Sequence, residues 1–191
     1  MKITTEFIER DKHTHFPFLP TIEIDQLSNS VYLSCSVLVS LDDKPSFILN
    51  IYSVCDDDGC ILEQCFKEIK TNKNVVAILH GQHIHLYDVN TDRVSSIALN
   101  DYVGHLYSIP NIHSDKLTSD FIVTTFAYTF LVNIYQGIKW RSERCAIDGV
   151  IIDSIENGII NGIGEWDPPG GWEPFQLDFD TGKFLHPSNS S

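Results

Sequence analysis

Short runs of β-branched and aromatic residues, each closed by a turn signal, recur along most of this chain. Residues 30–40 alternate, with Val31, Leu33, Cys35, Val37 and Val39 on one face. Asp42-Asp43-Lys44-Pro45 then reads as a hairpin connection into residues 47–54. Residues 75–79 are continuously apolar, as in a buried strand, and His83-Ile84-His85-Leu86-Tyr87 alternates again. Asn90-Thr91-Asp92 turns the chain into residues 94–99. Residues 121–135 are long, aromatic and β-branched, and residues 150–152 and 158–163 flank the turn Glu156-Asn157-Gly158. The pattern predicts a mainly β protein made of antiparallel sheets.

One segment has a different period. Ile61, Leu62, Cys65, Phe66 and Ile69 form a single stripe at helical spacing, and Asp57 or Asp58 would cap its start. This predicts one short α-helix over about residues 60–70.

The length of 191 residues fits one domain, or one domain made of two similar halves. A single β-rich domain is expected over 1–186, with a disordered tail at 187–191. Leu86-Tyr87-Asp88-Val89-Asn90-Thr91-Asp92-Arg93-Val94 is echoed by Leu177-Asp178-Phe179-Asp180-Thr181-Gly182-Lys183-Phe184. Both read as strand, polar turn and returning strand, and they resemble the outer strand pair of a β-propeller blade. Blades take about 40–45 residues each, and a closed propeller needs at least about four. The length therefore fits a half-propeller or a stack of small sheets. Reuse of common turn chemistry would also explain the echo.

Asp and Glu number 26 against 13 Lys and Arg, a formal net charge of −13. Such a surface repels nucleic-acid phosphates and anionic lipid and speeds the encounter with basic proteins. Solubility alone is a competing reason for acidity. The first eleven residues lack the apolar core of a secretory signal, and no run is long enough to span a membrane as a helix. Five cysteines, an odd count, then suggest reduced thiols and a cytoplasmic setting.

The most distinctive segment is Gly164-Glu165-Trp166-Asp167-Pro168-Pro169-Gly170-Gly171-Trp172-Glu173-Pro174-Phe175. It reads as a wide loop presenting Trp166 and Trp172 among Glu165, Asp167 and Glu173, a composition typical of binding hot spots. The opposing reading folds the Trp rings back to close the core. Residues 148–191 carry eight acids (Asp148, Asp153, Glu156, Glu165, Asp167, Glu173, Asp178, Asp180) and one base, Lys183, so −7 of the −13 lies there. This is either a solvated face or a docking surface whose carboxylates occupy the phosphate subsites of a basic enzyme. The candidate partner-binding residues are Glu165, Trp166, Asp167, Trp172, Glu173, Asp153 and Glu156.

No catalytic residue, metal site or cofactor is assigned. Asp56-Asp57-Asp58-Gly59 lacks the ligand spacing of a calcium loop, since its twelfth position is Lys67. His83 and His85 share a strand face near His80, and His13 and His15 form another pair, but no third ligand follows at a recognised spacing. His83 and His85 are expected to face solvent. There is no C-x-x-C pair, and phosphate-binding, dinucleotide-binding and hydrolase motifs are absent. A distant Cys–His pair stays open. A carboxylate pair for glycoside hydrolysis could be assembled from Glu165 and Glu173.

A small acidic chain of strand-rich modules, ending in the segment from Gly158 to Leu185 with its Trp-Asp-Pro-Pro-Gly-Gly-Trp core, resembles immunity proteins of contact-dependent growth inhibition and related polymorphic toxin systems. The resemblance implies a cytoplasmic, non-catalytic inhibitor that binds the C-terminal domain of one cognate basic toxin, often a nuclease, and blocks its active site. It carries over no individual residue, because such proteins share no single fold. Two alternatives stand beside it: a carbohydrate-binding or hydrolysing β-module, and a structural subunit of a larger assembly.

Overall fold

A computed structural model describes residues 1–8, 16–24, 30–54, 66–109 and 119–185. The described residues form fifteen β-strands in four sheets, with no helix among them. The first sheet, in order β1-β3-β4-β2, contains β1 (Ile3–Ile8), β2 (Thr21–Glu23), β3 (Ser30–Leu41) and β4 (Lys44–Val54). The second is the meander β5 (Lys67–Asn72), β6 (Val75–His80), β7 (His83–Asp88) and β8 (Arg93–Ala98). The third is β9 (Val103–Ser108), β10 (Asp120–Thr125), β11 (Thr129–Asn133) and β12 (Gly137–Arg141), and the fourth is β13 (Val150–Glu156), β14 (Ile159–Glu165) and β15 (Trp172–Asp178). All ladders are antiparallel except the short β2–β4 pairing.

The predicted helix is corrected in part. Residues 67–70 belong to strand β5, paired with β6 from Lys67↔His80 to Asn72↔Val75. Ile69 packs into the core between two sheets, so sheet pairing overrides the helical spacing. Phe66, also on the predicted stripe, precedes the strand and is exposed. Helix positions 60–65, the caps Asp57 and Asp58, His13, His15, Cys55 and the expected tail at 187–191 lie outside the described residues.

The four sheets stack face to face, as successive propeller blades do, without closing. Val37, Val39, Leu49 and Ile51 of the first sheet meet Val76, Ile78 and Tyr87 of the second. The opposite face of the second, with Ala77, Leu79, Ile84 and Leu86, meets Leu106, Phe121, Val123 and Phe130 of the third. Ile122 and Leu131 then meet Val150, Ile152, Ile160 and Leu177 of the fourth. This layering explains the sequence pattern. Strands β6, β10 and β11 are buried on both faces and read as continuous apolar runs, whereas β14 alternates.

Turns repeat with the sheets. Asp88, Asn133 and Asp178 stand 45 residues apart, each closing the third strand of its meander. The Asp88 Oδ1 accepts Asn90 N at 2.9 Å, Asn133 Oδ1 accepts Tyr135 N at 2.8 Å, and Asp178 Oδ1 accepts Thr181 N at 2.9 Å. Four residues beyond each comes a left-handed residue: Asp92 (φ 54°), Gly137 (φ 77°) and Gly182 (φ 68°). The echo noted in the sequence is therefore a structural repeat, with a third member at 133–137. Successive turn regions are also tied by side chains from the turn at 133–137 and from the strand that follows it. Tyr135 Oη donates to Asp88 Oδ2 at 2.5 Å, and Trp140 Nε1 donates to Phe179 O at 3.0 Å.

At the other edge, β1, β5, β9 and β13 lie side by side. Their free backbone donors are met by side chains of the neighbouring sheet. Glu68 Oε2 accepts Leu106 N at 3.0 Å, and Tyr107 Oη accepts Ile152 N at 3.0 Å.

Candidate functional site

The segment 164–175 is a tight hairpin, not a wide loop. β14 and β15 pair in unbroken register from Ile159↔Asp178 to Glu165↔Trp172. Across the turn, Trp166 N donates to Gly171 O at 2.9 Å and Gly171 N to Asp167 O at 3.0 Å. Gly170, at φ 105°, donates its N–H to Glu165 Oε1 at 2.7 Å. The hairpin is anchored because Gly164 has no side chain: a Cβ there would stand 2.0 Å from the carbonyl oxygen of Cys145.

Strand geometry sorts the candidate residues. Directly paired residues share a face and successive residues alternate. Glu165 is paired with Trp172, and Gly164 with Glu173. Glu165 and Trp172 therefore lie on one face and Glu173 on the other. The two carboxylates do not converge on a common point, so the geometry for paired acid–base hydrolysis is missing. Trp166 and Trp172 are 38% and 37% exposed, so neither closes the core. A Cβ on Gly149 would meet the Trp172 ring at 3.2 Å. Asp167 is exposed in the turn. Glu156 pairs with Ile159 at the far end of the sheet, away from the hairpin turn.

Trp166, Glu173 and Asp153 instead border a cavity of about 920 Å³ whose lining also includes Glu143, Cys145, Phe175 and Lys183. Asp153 sits at a bulge in β13, opposite Asn161, which tilts it out of regular alternation. Beside it, Asn161 Nδ2 donates to Ser154 Oγ at 2.9 Å and Gln176 Nε2 to Asn161 Oδ1 at 2.8 Å. Strands β13 to β15 hold five carboxylates and no Lys or Arg. Two of the five have structural duties: Glu165 holds the turn, and Asp178 accepts Thr181 Oγ1 at 2.6 Å, which holds its carboxyl below the usual range. Asp153, Glu156 and Glu173, with Asp167 in the turn, are exposed. Sequence reasoning did not find Glu143, because nothing in a charged loop after β12 signals which sheet it will approach, and it did not single out Phe175 or Lys183, because only the fold brings them to the same cavity.

The histidines stand elsewhere, at the seam between the first two sheets. His80, His83 and His85 share one face, as expected, but two of them do not meet solvent. His80 is 3% and His85 is 1% exposed. Backbone pairing sets His80 opposite His83, and the face that carries them packs on the first sheet rather than on water. His80 Nε2 lies 2.9 Å from Ser34 Oγ, and His85 Nδ1 lies 2.8 Å from Ser96 Oγ. Burial, helped by the charges of Lys67 and His83, lowers His80 to about 4; burial, then His80 and His83, lowers His85 to about 3. His83 is lowered by burial alone. Among the described residues no three His, Cys, Asp or Glu are grouped to hold a metal ion. Burial raises the Cys35 thiol to about 11 against the opposing charge of Lys67, and it raises Cys145 as well. Neither thiol is a ready thiolate at neutral pH.

No protein-family model matches the chain, and no curated protein matches it in sequence.

Proposed function

We propose that this chain is a non-catalytic immunity protein that binds a cognate basic toxin domain in the cytoplasm and blocks its active site. The observation that carries the proposal is the fourth sheet, whose three strands hold five acids and no base and whose hairpin displays two half-exposed Trp rings. Carboxylates on a fixed β-scaffold meet Lys and Arg with little ordering cost, and a rigid turn keeps the aromatic anchors in place. Steering by a net charge of −13 raises the association rate, while the Trp anchors set the lifetime of the complex.

The test is co-production with a toxic domain encoded beside this chain's gene, scored by growth, followed by association kinetics on the purified pair. Wild type restores growth. Reversal of Asp153, Asp167 and Glu173 to Lys abolishes the rescue and lowers the association rate at least about tenfold at low salt. An unchanged rate in that triple variant overturns the proposal. A carbohydrate-binding module is the second reading, favoured by a cavity whose lining includes Trp166, Asn161 and Gln176.

A further inference from the structure

We propose that the cavity beside Trp166 is a socket for an arginine side chain of the partner, an inference that rests on the docking face argued above. Three carboxylate residues, Glu143, Asp153 and Glu173, line it together with the rings of Trp166 and Phe175. Among the described residues of the lining, Lys183 is the one base. Anionic walls select a cation over a neutral group. The aromatic walls then select among cations. A guanidinium is planar, weakly hydrated and able to receive a carboxylate along its edge while its face lies on a ring. A lysine ammonium offers no such face and holds its water more tightly.

The chain itself lays an arginine on a tyrosine ring twice. Arg93 lies 5.1 Å above the Tyr135 ring, whose hydroxyl donates to Asp88, and Arg141 lies 4.8 Å above Tyr128. In the cavity, Trp166 and Glu173 stand on a hairpin fixed by the Glu165–Gly170 and Trp166–Gly171 bonds, Asp153 is added from β13 and Glu143 from the segment after β12, and among the described residues the lining holds no arginine of this chain. A volume of about 920 Å³ exceeds one side chain, so the arginine enters on a short loop or extended segment of the partner.

The experiment titrates the full chain with acetyl-Gly-Arg-Gly-Arg-Gly-amide, followed by Trp fluorescence and by NMR shifts of the Trp166 indole. Peptides with citrulline or lysine in place of arginine, and a neutral oligosaccharide, are run in parallel. The arginine peptide binds at least about tenfold more tightly than the citrulline peptide and several-fold more tightly than the lysine peptide. Glu173→Gln lowers its affinity about tenfold, and Trp166→Leu removes the preference for arginine over lysine. Both substitutions are at exposed positions and leave the core intact. Equal binding of arginine and citrulline peptides, shifts away from Trp166, or tighter binding of the oligosaccharide overturns the socket. The triple-Lys association measurement on the whole toxin domain separates the two proposals. If it still shows charge-steered binding while the peptides fail, the socket alone is wrong; if both fail, the docking face falls with it.

Discussion

Acid should loosen this protein through two histidines. The perturbation is a drop from pH 7 to pH 5. His80 and His85 are buried between the first two sheets with folded-state pKa values of about 4 and about 3, against an ordinary 6.5. Among the described residues, the groups facing them are Ser34 on β3, Lys67 on β5, Ser96 on β8 and His83 on β7; Lys67 and His83 add positive charge, and no described carboxylate contributes to either shift. A folded pKa below the unfolded one means that the unfolded chain takes up the extra protons. Stability is therefore complete above about pH 6.5 and is lost as pH falls toward the folded values. Each such histidine costs about 1.4 kcal/mol per pH unit in that window. Between pH 6.5 and 5 that is about 2 kcal/mol each, or about 4 kcal/mol together, a large share of a domain stability of about 5–15 kcal/mol. Urea unfolding followed by Trp fluorescence at pH 5, 6 and 7 measures it. The double variant His80→Gln, His85→Gln keeps an amide within reach of both serines and cannot charge. It should show a pH dependence flatter by about 3–4 kcal/mol over the same interval. A double variant that unfolds cooperatively at pH 7 and yet loses as much stability at pH 5 as wild type would refute this reasoning.

Three further outcomes follow from particular contacts. Gly182→Ala would push a Cβ to 2.4 Å from the Trp140 ring at a φ of 68°, so it should lower stability by about 2–4 kcal/mol in urea unfolding. Tyr135→Phe removes the hydroxyl that bonds Asp88 at 2.5 Å and should cost about 1–2 kcal/mol by the same measure. Lys139→Met leaves Asp120, which is 1% exposed, without the ammonium at 2.8 Å; because Lys139 is itself partly exposed, the loss should be about 1–3 kcal/mol, read as a lower melting temperature.

The strands were legible because their apolar runs and turn dipeptides are local signals. Asp42 and Asp43 (φ 48° and 62°), and Asn157 with Gly158 (φ 52° and 77°), form the two-residue hairpin turns that the sequence suggests. The strand at 67–72 was not legible, since Phe66 and Ile69 happen to sit at helical spacing and what decides their conformation is pairing with β6. His85 was placed in solvent because alternation tells which residues share a face but not whether another sheet lies on that face. Composition located the acidic segment, read as a wide loop, but not its hairpin pairing or its two-sidedness. Glu165 and Glu173 are eight positions apart, and only the Glu165↔Trp172 register shows that they diverge.

An open stack of sheets has two terminal faces, and each must be finished if the stack is not to grow. The two ends of this molecule are finished by opposite means. The outer face of the first sheet is apolar at Ile8, Leu38 and Ile48, and the chain covers it with Phe16 and Leu19. The fourth sheet has no later strand of this chain stacked on its outer face among the described residues. It is finished instead by the Ser154–Asn161–Gln176 bonds and by carboxylates at Glu156 and Glu165. A second copy bringing the same surface would meet like charge, which disfavours end-to-end pairing. The same charge that refuses another copy admits a cationic partner. Charge on this face would serve both to disfavour self-pairing and to recognise a basic protein, and association kinetics against salt separate the two, because avoidance of self-pairing alone predicts no steered encounter.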